Sequence, residues 1–420
     1  MNIHSSAIVS KRAVLSCPIH FSHHLDNVLY DLRGPIQDKA DELQRQGVKV
    51  IPLNVGNPAP FGFRPSAEVL SAMHRGLEET SGYSNSLGLS DTRQTVVDYY
   101  SQNEDFPALD SDHVLVGNGV SELVNLCLQA LINDGDEILI PSPDYPLWTA
   151  STTLAGGVPV HYLCLEENNW QPDVDDIRES ITAKTRAIVI INPNNPTGAI
   201  YSPETLSQIA QLAREHNLVL LSDEIYDRIV YPGASFTPTA CLAQDVPCLT
   251  FSGLSKTHRL AGLRAGWVTA TGFREQDTLF KGIRLLASMR MCASIPAQHA
   301  IAAVLGKEHS IDNLVRPGGR LFEQKVAATT ALSKIPGISF IEPQGALYIF
   351  IRLDGNIYEI DKDEDFVLSF LEAEHIHIVQ GSAFNVKGGT YVRITFLPEV
   401  ETIEHFAARF AAHLEKYAKR

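Results

Sequence analysis

Between residues 113 and 251 the chain alternates short apolar runs with longer stretches of helical spacing. Residues 113–116, 137–140, 187–191, 218–222 and 248–251 read as strands, and 120–132 and 203–216 read as amphipathic helices. The run Ala187-Ile188-Val189-Ile190-Ile191 has no polar position, so a strand formed from it needs cover on both faces. This alternation predicts an α/β domain on a mostly parallel, doubly covered sheet. In such open sheets ligands gather at the carboxyl ends of the strands, so the residues that follow the apolar runs are the first candidates for a site.

A chain of 420 residues is too long for one ordinary core. Near Val315-Arg316-Pro317-Gly318-Gly319-Arg320 the pattern changes to separate helices (321–333 and 364–374) and strands (346–351 and 391–395), as in a smaller α+β domain. At the other end a helix over 36–46, stopped by Gly47, leads into a strand over 48–55 and a Gly/Pro turn. The expected division is an N-terminal segment 1–65, a large domain 66–311 and a small domain 312–420, with the N-terminal segment joining the small domain and covering the active site. The first ~20 residues lack an apolar core of the signal-peptide kind and read as an unstructured lead.

The formal net charge of −15 gives no electrostatic support for a nucleic-acid or anionic-membrane partner. No apolar run approaches the roughly 18 residues of a membrane span. The six cysteines form no Cys-x-x-Cys pair, and reduced thiols in the cytoplasm are expected. Neither His20, His23 and His24 nor His375 and His377 compose a metal-ligand set, and no metal is expected.

Four motifs follow in order: Asn192-Pro193-Asn194-Asn195-Pro196-Thr197-Gly198, Asp223-Glu224-Ile225-Tyr226, Ser255-Lys256, and Gly262-Leu263-Arg264. Each is expected where a strand gives way to a loop or helix. An amine, a carboxylate, a phenol, an amide and a guanidinium are the groups that pyridoxal phosphate (PLP) requires. Lys256 would carry the cofactor on its amine and, once freed, move the substrate proton. Asp223 would keep the ring nitrogen protonated; a helix cap or structural ion pair is its other reading. Tyr226 and Asn195 would donate to the ring oxygen, although Asn-Pro and Thr-Gly are also ordinary turn formers.

For the phosphate, Gly117-Asn118-Gly119-Val120-Ser121-Glu122 joins a strand to a helix, and free N–H groups at a helix start bind anions. Gly119, Val120 and Ser121 are thus candidates, with Arg264 and the Ser255 hydroxyl completing the cup. A dinucleotide fingerprint is disfavoured because Glu122 stands at its third glycine position. Tyr145 follows the next strand, where it would either stack on the cofactor ring or pack in the core. Arg393, alone on the apolar strand Tyr391-Val392-Arg393-Ile394-Thr395, needs an anion. A substrate carboxylate and a structural salt bridge both qualify.

Together these residues resemble the class I/II aminotransferases of PLP fold type I, in order and approximate spacing, from Tyr30 to about Leu397. Tyr30-Asp31-Leu32-Arg33-Gly34-Pro35, Gly56-Asn57-Pro58-Ala59-Pro60 and Asp144-Tyr145-Pro146-Leu147-Trp148 are similar to the bacterial glutamate–pyruvate (alanine) aminotransferases. The resemblance implies ping-pong transfer of an amino group, L-alanine + 2-oxoglutarate to pyruvate + L-glutamate. It implies that Gly56, Asn195 and Arg393 contact the amino acid, and that the chain forms a homodimer with active sites at the interface. Tyr83 matches a tyrosine that reaches the partner's phosphate. Arg33, in the segment that the family places over the site, is the candidate partner for glutamate's distal carboxylate. One position departs from the family pattern: many relatives carry a serine three residues before the lysine, where this chain has Gly253. Transamination of aspartate, valine or an aromatic amino acid, or a PLP-dependent lyase reaction, would use the same motifs.

Overall fold

The structure, a computed structural model, describes residues 34–305, 307 and 310–419, together with Ser22, Leu25 and Val28. The expected unstructured lead, and Arg33 with it, lie outside the described residues. The strands are β1 (Ile51–Pro52), β2 (Val114–Gly117), β3 (Glu137–Ser142), β4 (Val158–Leu165), β5 (Gln171–Pro172), β6 (Thr185–Ile191) and β7 (Val219–Asp223). They continue with β8 (Cys248–Gly253), β9 (Gly266–Thr271), β10 (Ile338–Ser339), β11 (Tyr348–Leu353), β12 (Ile376–His377), β13 (Val379–Gln380) and β14 (Thr390–Thr395).

An eight-stranded sheet has the order β2-β9-β8-β7-β6-β3-β4-β5. Its centre, from β8 through β7, β6 and β3 to β4, is parallel. β9 runs antiparallel to both of its neighbours, and β5 runs antiparallel to β4. The polar-free run identified in the sequence is the last five residues of β6. Its alternate residues enter two different cores: Ile188 and Ile190 one, Ala187, Val189 and Ile191 the other. All five are buried, and burying each Ile or Val contributes about 1.5–3 kcal/mol. The helix Pro203–His216 has local signals at both ends. Ser202 caps it by accepting from the Thr205 N–H at 3.0 Å, Pro203 opens it, and Asn217 closes it in the left-handed region.

A third core joins the two ends of the chain. Ile36, Ala40 and Leu43 of the helix Pro35–Arg45 pack with residues such as Ile349, Phe366, Phe370 and Ile394. The four-stranded antiparallel sheet β10-β11-β14-β13 supplies part of this core. The strand expected over 48–55 is much shorter: only Ile51 and Pro52 pair, parallel to β12. Ile51 and Leu53 donate their N–H groups to His375 and His377, so Pro52, which has none to give, faces away from the ladder. Beyond Leu53 the backbone turns toward the site, and the Asn54 carbonyl accepts from Arg393 instead of a strand.

Three glycines, Gly117, Gly266 and Gly253, lie side by side across β2, β9 and β8. A Cβ at Gly253 would stand 2.7 Å from the Ala265 carbonyl oxygen, and one at Gly266 would stand 2.9 Å from the Val120 nitrogen. The close approach of β9 therefore leaves no room for a serine at 253.

Candidate active site

A cavity of about 650 Å³ opens where β6, β7 and β8 end. It is lined by Asn195, Asp223, Tyr226, Ser255, Lys256 and Arg264, and also by Gly56, Val120, Ser121, Tyr145 and Arg393. Segments more than three hundred residues apart in the chain thus meet in one place. One expectation about local structure is corrected. Arg264 does not follow a strand: it precedes β9, and reaches the same edge because β9 runs antiparallel to β8. Tyr226 sits in a turn, with the Asp227 N–H donating to Glu224 and the Ile229 N–H to Tyr226.

Asp223 is the last residue of β7 and is 4% exposed. Its Oδ2 accepts from Trp148 Nε1 at 3.2 Å, and its Oδ1 from the Ile225 N–H at 3.3 Å. Burial pushes its carboxyl up to about 6, against the pull of these bonds and of Lys256. A buried acid that two neutral donors leave destabilised as an anion is suited to a cationic partner, which a protonated pyridine ring supplies. Lys256 Nζ donates to the Gly56 carbonyl at 2.8 Å. At the opposite wall Arg264 lies against Gly119, where a Cβ would come within 2.3 Å of Nη2. Gly119 has φ +90° and opens the helix Val120–Leu131, so the guanidinium and the helix's free N–H groups converge beside Ser121 and Ser255. These donors fit a phosphate. Ser252, beside Gly253, does not line the cavity.

Arg393 is buried between two rings, its guanidinium carbon 4.3 Å from the centre of Tyr348 and 4.6 Å from that of Phe384. Nη1 donates to Asn195 Oδ1 at 2.9 Å, and Nη2 donates to the Asn54 carbonyl. Both hold the guanidinium facing the cavity.

Tyr83 is 79% exposed and does not line the cavity of its own chain. Two further residues escaped the sequence reading. Trp148 reaches Asp223 from behind. Tyr348 places its hydroxyl 2.7 Å from that of Tyr226 and against Gly56, where a Cβ would be 2.3 Å away. Burial pushes the Tyr348 phenol up, but Lys256, Arg393 and hydrogen bonds from Tyr226 and Gly56 outweigh it and hold it below its ordinary value. Tyr348 sits two positions from Phe350, which is opposite Arg393 across β11 and β14, so it is a diagonal neighbour of the arginine. That register is not readable from the chain. Gln37, Asp38 and Asp41 also line the cavity, from the helix Pro35–Arg45.

Behind the site lies a second buried acid. Glu224 is 1% exposed and accepts from Ser222 Oγ at 2.8 Å and the Thr239 N–H at 2.9 Å. Burial pushes it up to about 8, against these bonds. An acid with a raised folded value contributes stability fully below its unfolded value, and that contribution is lost as pH rises through the folded one. For Glu224 the window runs from 4.5 to about 8. The cofactor-free protein should therefore lose thermal stability between pH 4.5 and about 8. Glu224→Gln should reduce that loss by about 2 °C or more, read as the difference between the two melting curves.

The class I and II aminotransferase family matches residues 48–410, and the chain belongs to that family. It is 52% identical to the alanine aminotransferase of Mycobacterium tuberculosis (strain ATCC 25618 / H37Rv) over 378 residues, 90% of this chain and 88% of the relative. It is 47% identical to the glutamate-pyruvate aminotransferase AlaA of Escherichia coli (strain K12) over 401 residues, 95% of this chain and 99% of the relative. A solved aminotransferase structure from Escherichia coli superposes with a TM-score of 0.93 at 47% identity, covering 96% of this chain and 100% of that one. The fold is PLP-dependent transferase fold type I. Among the described residues no helix is long and apolar enough to cross a membrane.

Proposed function

We propose that this chain binds PLP on Lys256 and catalyses L-alanine + 2-oxoglutarate to pyruvate + L-glutamate, as a homodimer in the cytoplasm. The observation that carries the reading is the convergence of Lys256, Asp223, Arg264 and Arg393 on one cavity. The similarity to proteins named alanine and glutamate-pyruvate aminotransferase supports the choice of substrates.

Bound PLP supplies an electron-accepting ring that stabilises negative charge at the substrate Cα. Asp223 would hold a proton at the ring nitrogen, and Tyr226 and the Asn195 amide would donate to the ring oxygen. Arg264, the Ser255 hydroxyl and the N–H groups of Val120 and Ser121 would hold the phosphate, with Tyr145 beside the ring. Arg393 takes the substrate carboxylate bidentately, with Asn195 and the Asn54 carbonyl fixing its plane. This would orient the Cα–H toward the Lys256 amine, the group that would take and carry that proton. Tyr83, exposed on its own protomer, completes the partner's phosphate site.

The test is a half-reaction without an oxo acid. Alanine and glutamate should each bleach the absorbance of enzyme-bound PLP at least about tenfold faster, per unit concentration, than valine or tyrosine. Equal rates across the four would overturn the substrate assignment. Bleaching that depends on no amino acid, or no cofactor absorbance at all, would overturn the aminotransferase chemistry.

A further inference from the structure

Three hydrogen bonds pin the loop after β3 to the segment after β13. The Asp144 N–H donates to the Phe384 carbonyl at 2.9 Å, Asn385 Nδ2 donates to Asp144 Oδ1 at 2.7 Å, and Ser142 Oγ donates to the Asn385 carbonyl at 2.8 Å. The second Asp144 oxygen accepts from Thr149 Oγ at 2.7 Å, and Thr149 in turn meets His161 Nε2 at 2.9 Å. Asp144 is wholly buried. No cation pairs with its carboxyl in these contacts; burial pushes it up to about 7, with Asn385 and Thr149 pulling it back.

A carboxyl kept at that cost sits between two parts of the site. Its neighbour in the chain, Tyr145, forms a cavity wall. Phe384, whose carbonyl accepts from the Asp144 N–H, backs the Arg393 guanidinium at 4.6 Å. We propose that Asp144 is a positioning residue for the substrate carboxylate: it holds Phe384 and Asn385 in place, and through the Phe384 ring sets where the Arg393 guanidinium stands relative to Tyr145. The proposal rests on Arg393 as the carboxylate's partner. What it requires of position 144 is the pair of hydrogen bonds rather than the charge. An amide there can accept from Asn385 with its oxygen and donate to Thr149 with its nitrogen, while the Thr149 hydroxyl turns to His161.

Displacing a binding group by about 1 Å costs on the order of 10²-fold. Asp144→Ala holoenzyme should therefore raise KM for both alanine and glutamate about 10- to 100-fold, with kcat changed less than about threefold and the absorbance of bound PLP retained. Calorimetric binding of 2-methylalanine, whose Cα carries no hydrogen to transfer, should weaken by the same factor. Asp144→Asn should restore both quantities to within about threefold of the unaltered enzyme. Asn385→Gly suits the left-handed backbone at 385 (φ 54°) and removes the same amide. It should reproduce the Asp144→Ala effect and, combined with it, add little; it carries the test if Asp144→Ala fails to fold. Unchanged KM and 2-methylalanine binding in Asp144→Ala or Asn385→Gly would overturn the proposal, as would an effect on kcat alone or an Asp144→Asn enzyme as impaired as the alanine one. Arg393→Lys separates the two readings. If it weakens 2-methylalanine binding and the 144 and 385 variants do not, only the positioning role fails; if none of them does, Arg393 is not the carboxylate's partner.

Discussion

Lys256→Ala lowers turnover of alanine with 2-oxoglutarate by at least about 10⁴-fold and leaves the fold in place. The expectation follows from what else lines the cavity. Arg264 and Arg393 are there, but a guanidinium does not give up its proton in a protein and serves no base. Asp223 faces Trp148 and the Ile225 N–H behind the site, and the Tyr226 and Tyr348 hydroxyls face each other. The Lys256 amine, which donates to the Gly56 carbonyl and lies over the Tyr226 ring, is the basic group placed to take the Cα proton. Positioned proton transfer is worth about 10²–10⁴-fold, and loss of the covalent anchor that orients the cofactor adds to it. The structural cost is small, because alanine gives up one hydrogen bond at a half-buried position. Borohydride reduction followed by peptide mass analysis gives an independent readout. The unaltered enzyme should carry the pyridoxyl mass on the peptide containing Lys256, and the variant on none. A variant retaining more than about a hundredth of normal turnover would show that another group moves the proton.

The parts of this molecule that are legible in the sequence are those specified over a few residues. The helix Pro203–His216 has its bounds written in Ser202, Pro203 and Asn217, and β6 is written in a run of five apolar residues. Asp223, Lys256 and the Gly119 turn are legible for a related reason. A polar or glycine-rich segment directly after an apolar strand falls at the carboxyl edge of a parallel sheet whatever the remaining topology. Arg264 lines the cavity from a local structure that the sequence does not show, since nothing in Gly266-Trp267-Val268 states that β9 is antiparallel. Trp148 and Tyr348 illustrate what stays hidden. Each looks like an ordinary core residue on its own element, and its role comes from a partner 75 or 122 positions away. The strand over 48–55 failed for the opposite reason: its apolar residues favour extension, but β12 offers only two positions of pairing before Arg393 claims the Asn54 carbonyl. Gly253, which stands where many relatives carry a serine, is a packing requirement of β9, whose backbone stands too close for a side chain.

Asp223→Asn is expected to lower kcat/KM for alanine and for glutamate by at least about 10³-fold, with little change in stability. The two side chains have the same shape, and the amide oxygen can keep either the Trp148 or the Ile225 donor. What changes is the charge facing the ring. A carboxylate in a site this dry interacts with a ring cation far more strongly than it would in water. Burial already pushes the Asp223 carboxyl up to about 6 without that cation, so gaining it restores the ionised form. An amide offers no such restoring charge, and its N–H favours an unprotonated ring nitrogen, which accepts electrons poorly. Removing one neutral preorganised donor costs about 10²–10³-fold, and a full charge at the developing carbanion's electron sink should cost more. The fall should appear in kcat rather than in KM, because the interaction strengthens as charge develops. A cofactor methylated on the ring nitrogen makes the cause testable, since it carries a fixed cation that needs no carboxylate to keep it. Loaded into Asp223→Ala, it should recover at least about tenfold of the lost rate over ordinary PLP in the same variant. Equal rates for the two cofactors would mean that Asp223 acts by holding Trp148 and the turn at Ile225, and not through its charge.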